Sequence, residues 1–219
     1  MKKEDCIYKN VCKVKCTDNC LRYIQFQRLL ELSNLPKNFQ KPIKIVSTDA
    51  DRPAYIELSK IKKDIVSFVN KGKNLYICSK TCGNAKTSWA VKLMLKYFDE
   101  TWHNSYDVTR GLFVHVPSLL LDLKNFNNMP EYVDRIREAD LVIWDDIAFG
   151  SLSDYDHEQL LQFIDNRVAN GKSNIFTSNV TSGKELESLI GSRLASRVYS
   201  GSKVIEFSSG DFRVGGKVE

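Results

Sequence analysis

From Asn74 onward, short apolar runs alternate with segments whose apolar residues recur every three or four positions. The runs are Leu75–Cys78, Leu112–Val116, Leu141–Trp144, Ile175–Ser178 and Val204–Phe207, each about the length of a buried strand. Helical spacing fills the intervals Ser88–Phe98, Ser118–Phe126, Glu131–Glu138, His157–Ala169 and Lys184–Tyr199. Strands alternating with helices make a parallel sheet covered on both faces, so the pattern predicts an α/β fold with five parallel strands flanked by helices. Ligands of such sheets bind outside the carboxyl ends of the strands, which is where the chemistry is expected. Upstream, Leu21–Leu30 has one apolar helical face, and Asn34-Leu35-Pro36 ends it. Residues 36–53 hold three prolines and no sustained period, as a connector does. A second helix is predicted over Leu58–Asn70, with Ile61, Ile65, Phe68 and Val69 on one side. The expected organisation is a small cysteine-rich helical module at 1–35, a linker at 36–57 and the α/β domain at 58–219.

The chain's 219 residues leave room for one such domain and a small appendage. Hydrophobic and charged fractions of 42% and 27% exclude a wholly disordered chain. No run approaches the roughly 20 apolar residues of a bilayer span. The start, Met1-Lys2-Lys3-Glu4-Asp5, lacks the apolar stretch of a secretory signal. A cytoplasmic protein without membrane association is therefore expected. The net charge of +5 is unevenly placed: residues 1–73 carry 16 basic and 8 acidic side chains, residues 74–219 carry 16 and 19. Attraction to nucleic acid or an acidic partner is thus expected in the N-terminal third, against the alternative of a solvated lysine-rich surface.

Candidate chemistry follows the first and third runs. The first leads into Ser79-Lys80-Thr81-Cys82-Gly83-Asn84-Ala85-Lys86-Thr87 and then a helix. A phosphate-binding loop reads G-x-x-x-x-G-K-[ST] between strand and helix. Here Lys80 and Ala85 stand at the two glycine positions, Gly83 lies inside the loop, and Lys86 and Thr87 are in place. Backbone N–H groups from Lys80 to Thr87 and the helix N-terminus would cradle phosphates of ATP or ADP. Lys86 would reach the β- and γ-phosphates, and Thr87 would ligate Mg²⁺. The third run ends in Asp145-Asp146, the arrangement in which Asp145 holds Mg²⁺ and Asp146 polarises a water. Asn179, after the fourth run, is placed to orient water. Arg193 and Arg197, four apart, share a helix face and could reach a phosphate in their own subunit or a neighbour's. His103, His115 and His157 have no ligand spacing and are assigned no catalytic role, and Trp144 is assigned to sheet packing.

The order Leu75–Thr87, Gly111–Leu120, Ala139–Ile147, Thr177-Ser178-Asn179 and Gly191-Ser192-Arg193-Leu194-Ala195-Ser196-Arg197 resembles the AAA+ ATPases that load the bacterial replicative helicase, the DnaC/DnaI type, including phage-encoded versions. The resemblance spans roughly residues 35–213, and Ser208-Ser209-Gly210-Asp211-Phe212-Arg213 echoes the family's C-terminal end. It implies a P-loop AAA+ core that hydrolyses ATP, a replicative DNA helicase as partner, DNA as the destination and assembly into an oligomer. It also implies that Arg197 is an arginine finger and Arg193 its partner. The family keeps both loop glycines and this chain keeps neither, which favours one rival, a non-hydrolysing helicase-binding adaptor or inhibitor. A second rival is a transposition-helper ATPase, whose core looks much the same.

Cys6, Cys12, Cys16 and Cys20 fall within fifteen residues and supply the four thiolates of a closed tetrahedral zinc site. Lys9, Lys13 and Lys15 would favour the thiolate forms. An iron–sulfur cluster uses the same ligands, and four semi-buried free thiols are the third alternative. Some helicase loaders carry an N-terminal zinc module that grips the helicase, and the resemblance extends that far in kind.

Overall fold

The computed structural model describes residues 6, 12, 17, 19–40, 43, 45, 48–104, 108–125 and 130–210. Five parallel strands, β1 (Asn74–Cys78), β2 (Gly111–His115), β3 (Leu141–Asp145), β4 (Ser173–Ser178) and β5 (Ser202–Glu206), lie in the order β2-β3-β4-β1-β5. Ahead of them come α1 (Leu21–Leu32), α2 (Arg52–Lys63) and α3 (Ile65–Asn70). The crossovers are α4 (Lys86–Thr101), α5 (Val116–Asn125) with α6 (Pro130–Glu138), α7 (Asp154–Ala169), and α8 (Gly183–Ile190) with α9 (Ser192–Ala195), which runs into a π-helical turn at Ser196–Ser200. The expected five-stranded parallel α/β sheet is what the chain forms.

The strand order decides which helices share a face. The step from β1 to β2 crosses the sheet in one direction, and every later step returns in the other. Parallel crossovers are right-handed, so the helix of the first step must lie on one face and those of the later steps on the opposite face. Accordingly α4 packs on Leu75, Ile77, Ile143 and Ile175, while α5 to α9 pack on Tyr76, Cys78, Val142 and Phe176. One helix cannot cover five strands, and α1, α2 and α3 complete its layer: Phe26, Leu29, Leu58, Ile65 and Phe68 are buried in the same core as Trp89, Met94 and Phe98.

The divisions expected at 35/36 and 57/58 therefore do not mark separate packing units. Phe26 of α1 meets Phe98 of α4 edge to face at 6.3 Å between ring centroids. The Phe113 N–H of β2 donates to the Ser33 carbonyl at 2.7 Å, so the turn after α1 occupies part of that edge strand's open side. Two helix expectations also change. Leu58–Asn70 is two helices broken at Asp64 (φ −116°, ψ 37°), and the first begins at Arg52 with Pro53 in its opening turn. Lys184–Tyr199 is divided at Gly191, whose φ of +77° suits glycine and whose absent Cβ would stand 2.8 Å from His157 Nε2.

Arg167 of α7, fully buried, ties the amino ends of this layer together. It donates to Asn174 Oδ1 (2.7 Å) and to the carbonyls of Ile136 (2.6 Å), Ala139 (2.8 Å) and Ser173 (2.6 Å). Burial pushes its guanidinium down to about 9, with the Asp140 charge acting against that shift. Asn174 Oδ1 also accepts the Trp144 indole N–H at 3.0 Å, so Trp144 is packed in the sheet as expected. Arg167→Met fills similar volume but takes the guanidinium donors from three buried carbonyls, while Asn174 Oδ1 keeps the Trp144 indole. It should lower the unfolding free energy in urea by about 3 kcal/mol or more, with the denaturant slope unchanged.

Candidate nucleotide site

The carboxyl ends of β1, β4 and β3 lie side by side and bring three chain segments together. The loop after β1 turns through Gly83 (φ 75°) and Ala85 (φ 67°) into α4. Ala85 thus keeps the left-handed conformation for which a glycine is normally used, and its Cβ makes that arrangement unfavourable by roughly 1–2 kcal/mol. Lys80, at the other glycine position, has no positive φ. The loop's interior is polar and ordered: Asn84, buried, donates from Nδ2 to Ser79 Oγ and to Thr81 Oγ1 (3.1 Å). Lys80 and Cys82 are exposed on its outer side.

Lys86 opens α4 and is only 7% exposed. Its ammonium donates to the Thr81 carbonyl (2.9 Å), Asn84 Oδ1 (3.0 Å) and Asn179 Oδ1 (2.8 Å). All three acceptors are neutral, and among the described residues Lys86 has no ion pair. Burial consequently lowers its pKa, the more distant Cys82, Asp146, Cys78 and Asp145 opposing. Asn179, expected at the site, is thus brought to the lysine itself.

Next to it, Asp145 Oδ1 accepts the hydroxyls of Thr87 (2.8 Å) and Thr177 (2.7 Å). Burial raises the Asp145 pKa against these two hydrogen bonds. Asp146 follows in a left-handed conformation (φ 57°), its N–H donating to Thr177 Oγ1 at 3.1 Å and its carboxylate half-exposed. The hydroxyl of Thr87 beside the Asp145 carboxylate is a hard-oxygen donor set of the kind Mg²⁺ takes.

His115 was given no role by its spacing, yet it ends β2 as the register partner of Asp145. Its Nε2 lies 3.9 Å from Asp146 Oδ2, and its Nδ1 shares a 2.8 Å hydrogen bond with Ser118 Oγ. Thr177, which the sequence offers only within the Thr177-Ser178-Asn179 run and with no role of its own, joins the site as well. Only the strand order, which sets β2 and β4 on either side of β3, reveals either residue.

The arginines lie elsewhere. Arg193 is exposed on α9. Arg197 sits in the turn that leads to the amino end of β5, and its Nε donates to Asp165 Oδ1 of α7 at 2.5 Å. Both ends of that pair belong to the half of the molecule nearer the strands' amino ends, away from Lys86. Of the expected metal cysteines, Cys6 packs against the core and Cys12 is exposed, and among the described residues no group of three or more potential metal ligands is assembled. Cys16 lies outside the described residues, as do Asp211, Phe212 and Arg213.

No family model matches the sequence, and no curated protein matches it. Solved structures do match. A DnaI structure superposes with a TM-score of 0.65 at 20% identity, covering 84% of this chain and 98% of that one. The DnaC helicase loader gives 0.62 at 19%, covering 75% and 94%. AMPPCP-bound DnaA from Aquifex aeolicus gives 0.57 at 18%, covering 77% of this chain and 50% of that one. The chain has the AAA+ P-loop fold. Its sheet is the one the sequence pattern predicted, and the loop 80–87 and Asp145-Asp146 lie at the carboxyl ends of β1 and β3. No described helix is long and apolar enough to cross a membrane.

Thr177→Val tests how the acidic strand end is held. It removes one of two donors to a buried carboxylate and the acceptor for the Asp146 N–H. A loss of about 1–3 kcal/mol in urea unfolding is expected, and Thr87→Val, which leaves Asp146 untouched, should cost less.

Proposed function

We propose that this protein is an AAA+ ATPase that binds a replicative DNA helicase and delivers it to DNA, working in the cytoplasm. The observation that carries the nucleotide part is the buried Lys86 ammonium held by three neutral oxygens. A desolvated cation with only neutral partners gains most from an anion, and the loop N–H groups and the start of α4 favour the same charge. Lys86 leaves the Thr81, Asn84 and Asn179 oxygens for the β- and γ-phosphate oxygens of ATP. Asn179 is then free to orient the attacking water, and Asp146 accepts a hydrogen bond from it. Thr87 and Asp145 ligate Mg²⁺, which supplies charge neutralisation on the transferring phosphoryl group.

The helicase part rests on likeness in fold to DnaC and DnaI together with the Gly191–Arg197 sequence. Arg197 pairs with Asp165 of α7, and this reading gives it the γ-phosphate of the next subunit in an oligomer, with Arg193 beside it. Single-stranded DNA and the excess basic charge of residues 1–73 fit the same task. A zinc ion on Cys6, Cys12, Cys16 and Cys20 completes the reading, with iron–sulfur as its rival; it rests on cysteine spacing alone. Metal analysis of protein purified without chelator should find one zinc per chain, and finding neither zinc nor iron removes that part.

Calorimetric titration should show Mg-ATP binding, and Lys86→Ala should abolish it. Arg197→Ala should bind nearly normally yet lose turnover stimulated by helicase or single-stranded DNA. Absence of binding at millimolar ATP would leave the non-hydrolysing adaptor. Co-purification with a transposase in place of a helicase would move the protein to the transposition helpers.

A further inference from the structure

We propose that Asp51 is a positioning residue for the phosphate loop, acting through Ser209 and Thr81. Asp51 stands just before α2 and is 1% exposed. Its Oδ1 accepts the N–H groups of Ser208 (2.7 Å) and Ser209 (3.0 Å). Its Oδ2 accepts the hydroxyls of Ser209 and of Thr48, the latter at 3.2 Å. Such a buried carboxylate, satisfied by four donors, fixes the segment after β5 firmly. That segment lies against the loop because the Phe207 N–H donates to the Cys78 carbonyl at 2.8 Å, carrying the pairing of β5 with β1 past the end of both strands. The Ser209 carbonyl then accepts the Thr81 hydroxyl at 2.7 Å. Thr81 is bound on its other atoms too: its N–H donates to Ser79 Oγ (3.2 Å) and its carbonyl accepts Lys86 Nζ. Three steps therefore join Asp51 to the lysine that meets phosphate.

The loop needs such backing for a definite reason. Ala85 is held at φ 67°, and a conformation of this kind persists only where the surroundings over-determine it. Fixing Thr81 from outside limits the ways in which the loop can relax around Ala85. The inference rests on the reading of this loop as a nucleotide site, and it makes the start of α2 and the segment after β5 parts of that site.

The test uses the full-length protein, a fluorescent ATP analogue with Mg²⁺, and amide hydrogen exchange over residues 80–87. Asp51→Ala should weaken nucleotide binding about tenfold, the scale on which removing an orienting partner acts, and speed exchange of the loop amides. Asp51→Asn should stay close to the original: its carbonyl keeps both N–H groups, and its amide faces two hydroxyls that can turn to accept. Thr81→Val cuts the same link from the loop side while Asp51 keeps all four donors, so it should match Asp51→Ala even if that variant folds poorly. The double variant should be no weaker than either single one. In an Ala85→Gly background the loss from Thr81→Val should shrink. Losses that multiply in the double variant overturn the proposal, as does loop exchange unchanged by both single substitutions. If Asp51→Asn and Asp51→Ala both tighten binding, the carboxylate acts by repelling phosphate and the positioning role is wrong. If the unsubstituted protein binds no nucleotide, the proposed ATPase falls, while the exchange measurements still decide whether Asp51 sets the loop.

Discussion

The Lys86 ammonium sits on a largely buried side chain, and what surrounds it governs which arrangements of the loop are stable. Three oxygens solvate it without neutralising it, two from the loop and one from Asn179 beyond β4. Each ties a separate piece of backbone to one cation. The loop's polar interior, with Asn84 spanning Ser79, Thr81 and Lys86, follows from the need to satisfy that cation inside the protein. Asp145, one strand further along, is the opposite case: a buried carboxylate served by two hydroxyls. Under the proposed function, a group that brings both phosphate and a divalent cation would answer both deficits together.

Handedness explains why the N-terminal segment cannot be an appendage. A chain that steps from β1 to the far edge and then returns leaves one face with a single crossover helix. Apolar side chains of all five strands on that face would otherwise meet water, at roughly 25 cal/mol per Å² of apolar surface. The layer formed by α1, α2 and α3 removes them from it. The start of α2 consequently lies beside the segment after β5, and Asp51 reaches Ser208 and Ser209. Covering the core and backing the loop are thus consequences of the same packing.

Much of this was legible in the sequence, for identifiable reasons. Five apolar runs separated by helical spacing specify parallel strands because both faces of each must be buried, and the polar residues after Cys78 and Asp145 mark where β1 and β3 end. Boundaries that depend on one residue's backbone were not legible: nothing in Leu58–Asn70 announces that Asp64 leaves the helical region, and the positive φ by which Gly191 divides α8 from α9 is not written in its neighbours. The partners His115 and Thr177 were hidden because they are distant in sequence from the aspartates and become neighbours through strand order alone. Residues 36–57 read as a linker because prolines and the lack of a period describe 36–51 well, and the first turns of α2 were counted with them.

The two absent glycines show what a sequence motif stands for. Glycine at a loop position is a proxy for a backbone conformation, and the two positions here differ in what they require. Lys80 has no positive φ, so its side chain brings no backbone strain and points to the exposed side of the loop. Ala85 does adopt the left-handed conformation, and its single methyl makes this possible at a cost that a β-branched residue would raise steeply. The motif is therefore degenerate at two positions whose backbone demands differ, and only one of them needs the left-handed conformation. The difference is carried by the polar contacts around it, from Asn84 within and from Ser209 outside, which hold in place what glycine would have adopted without help.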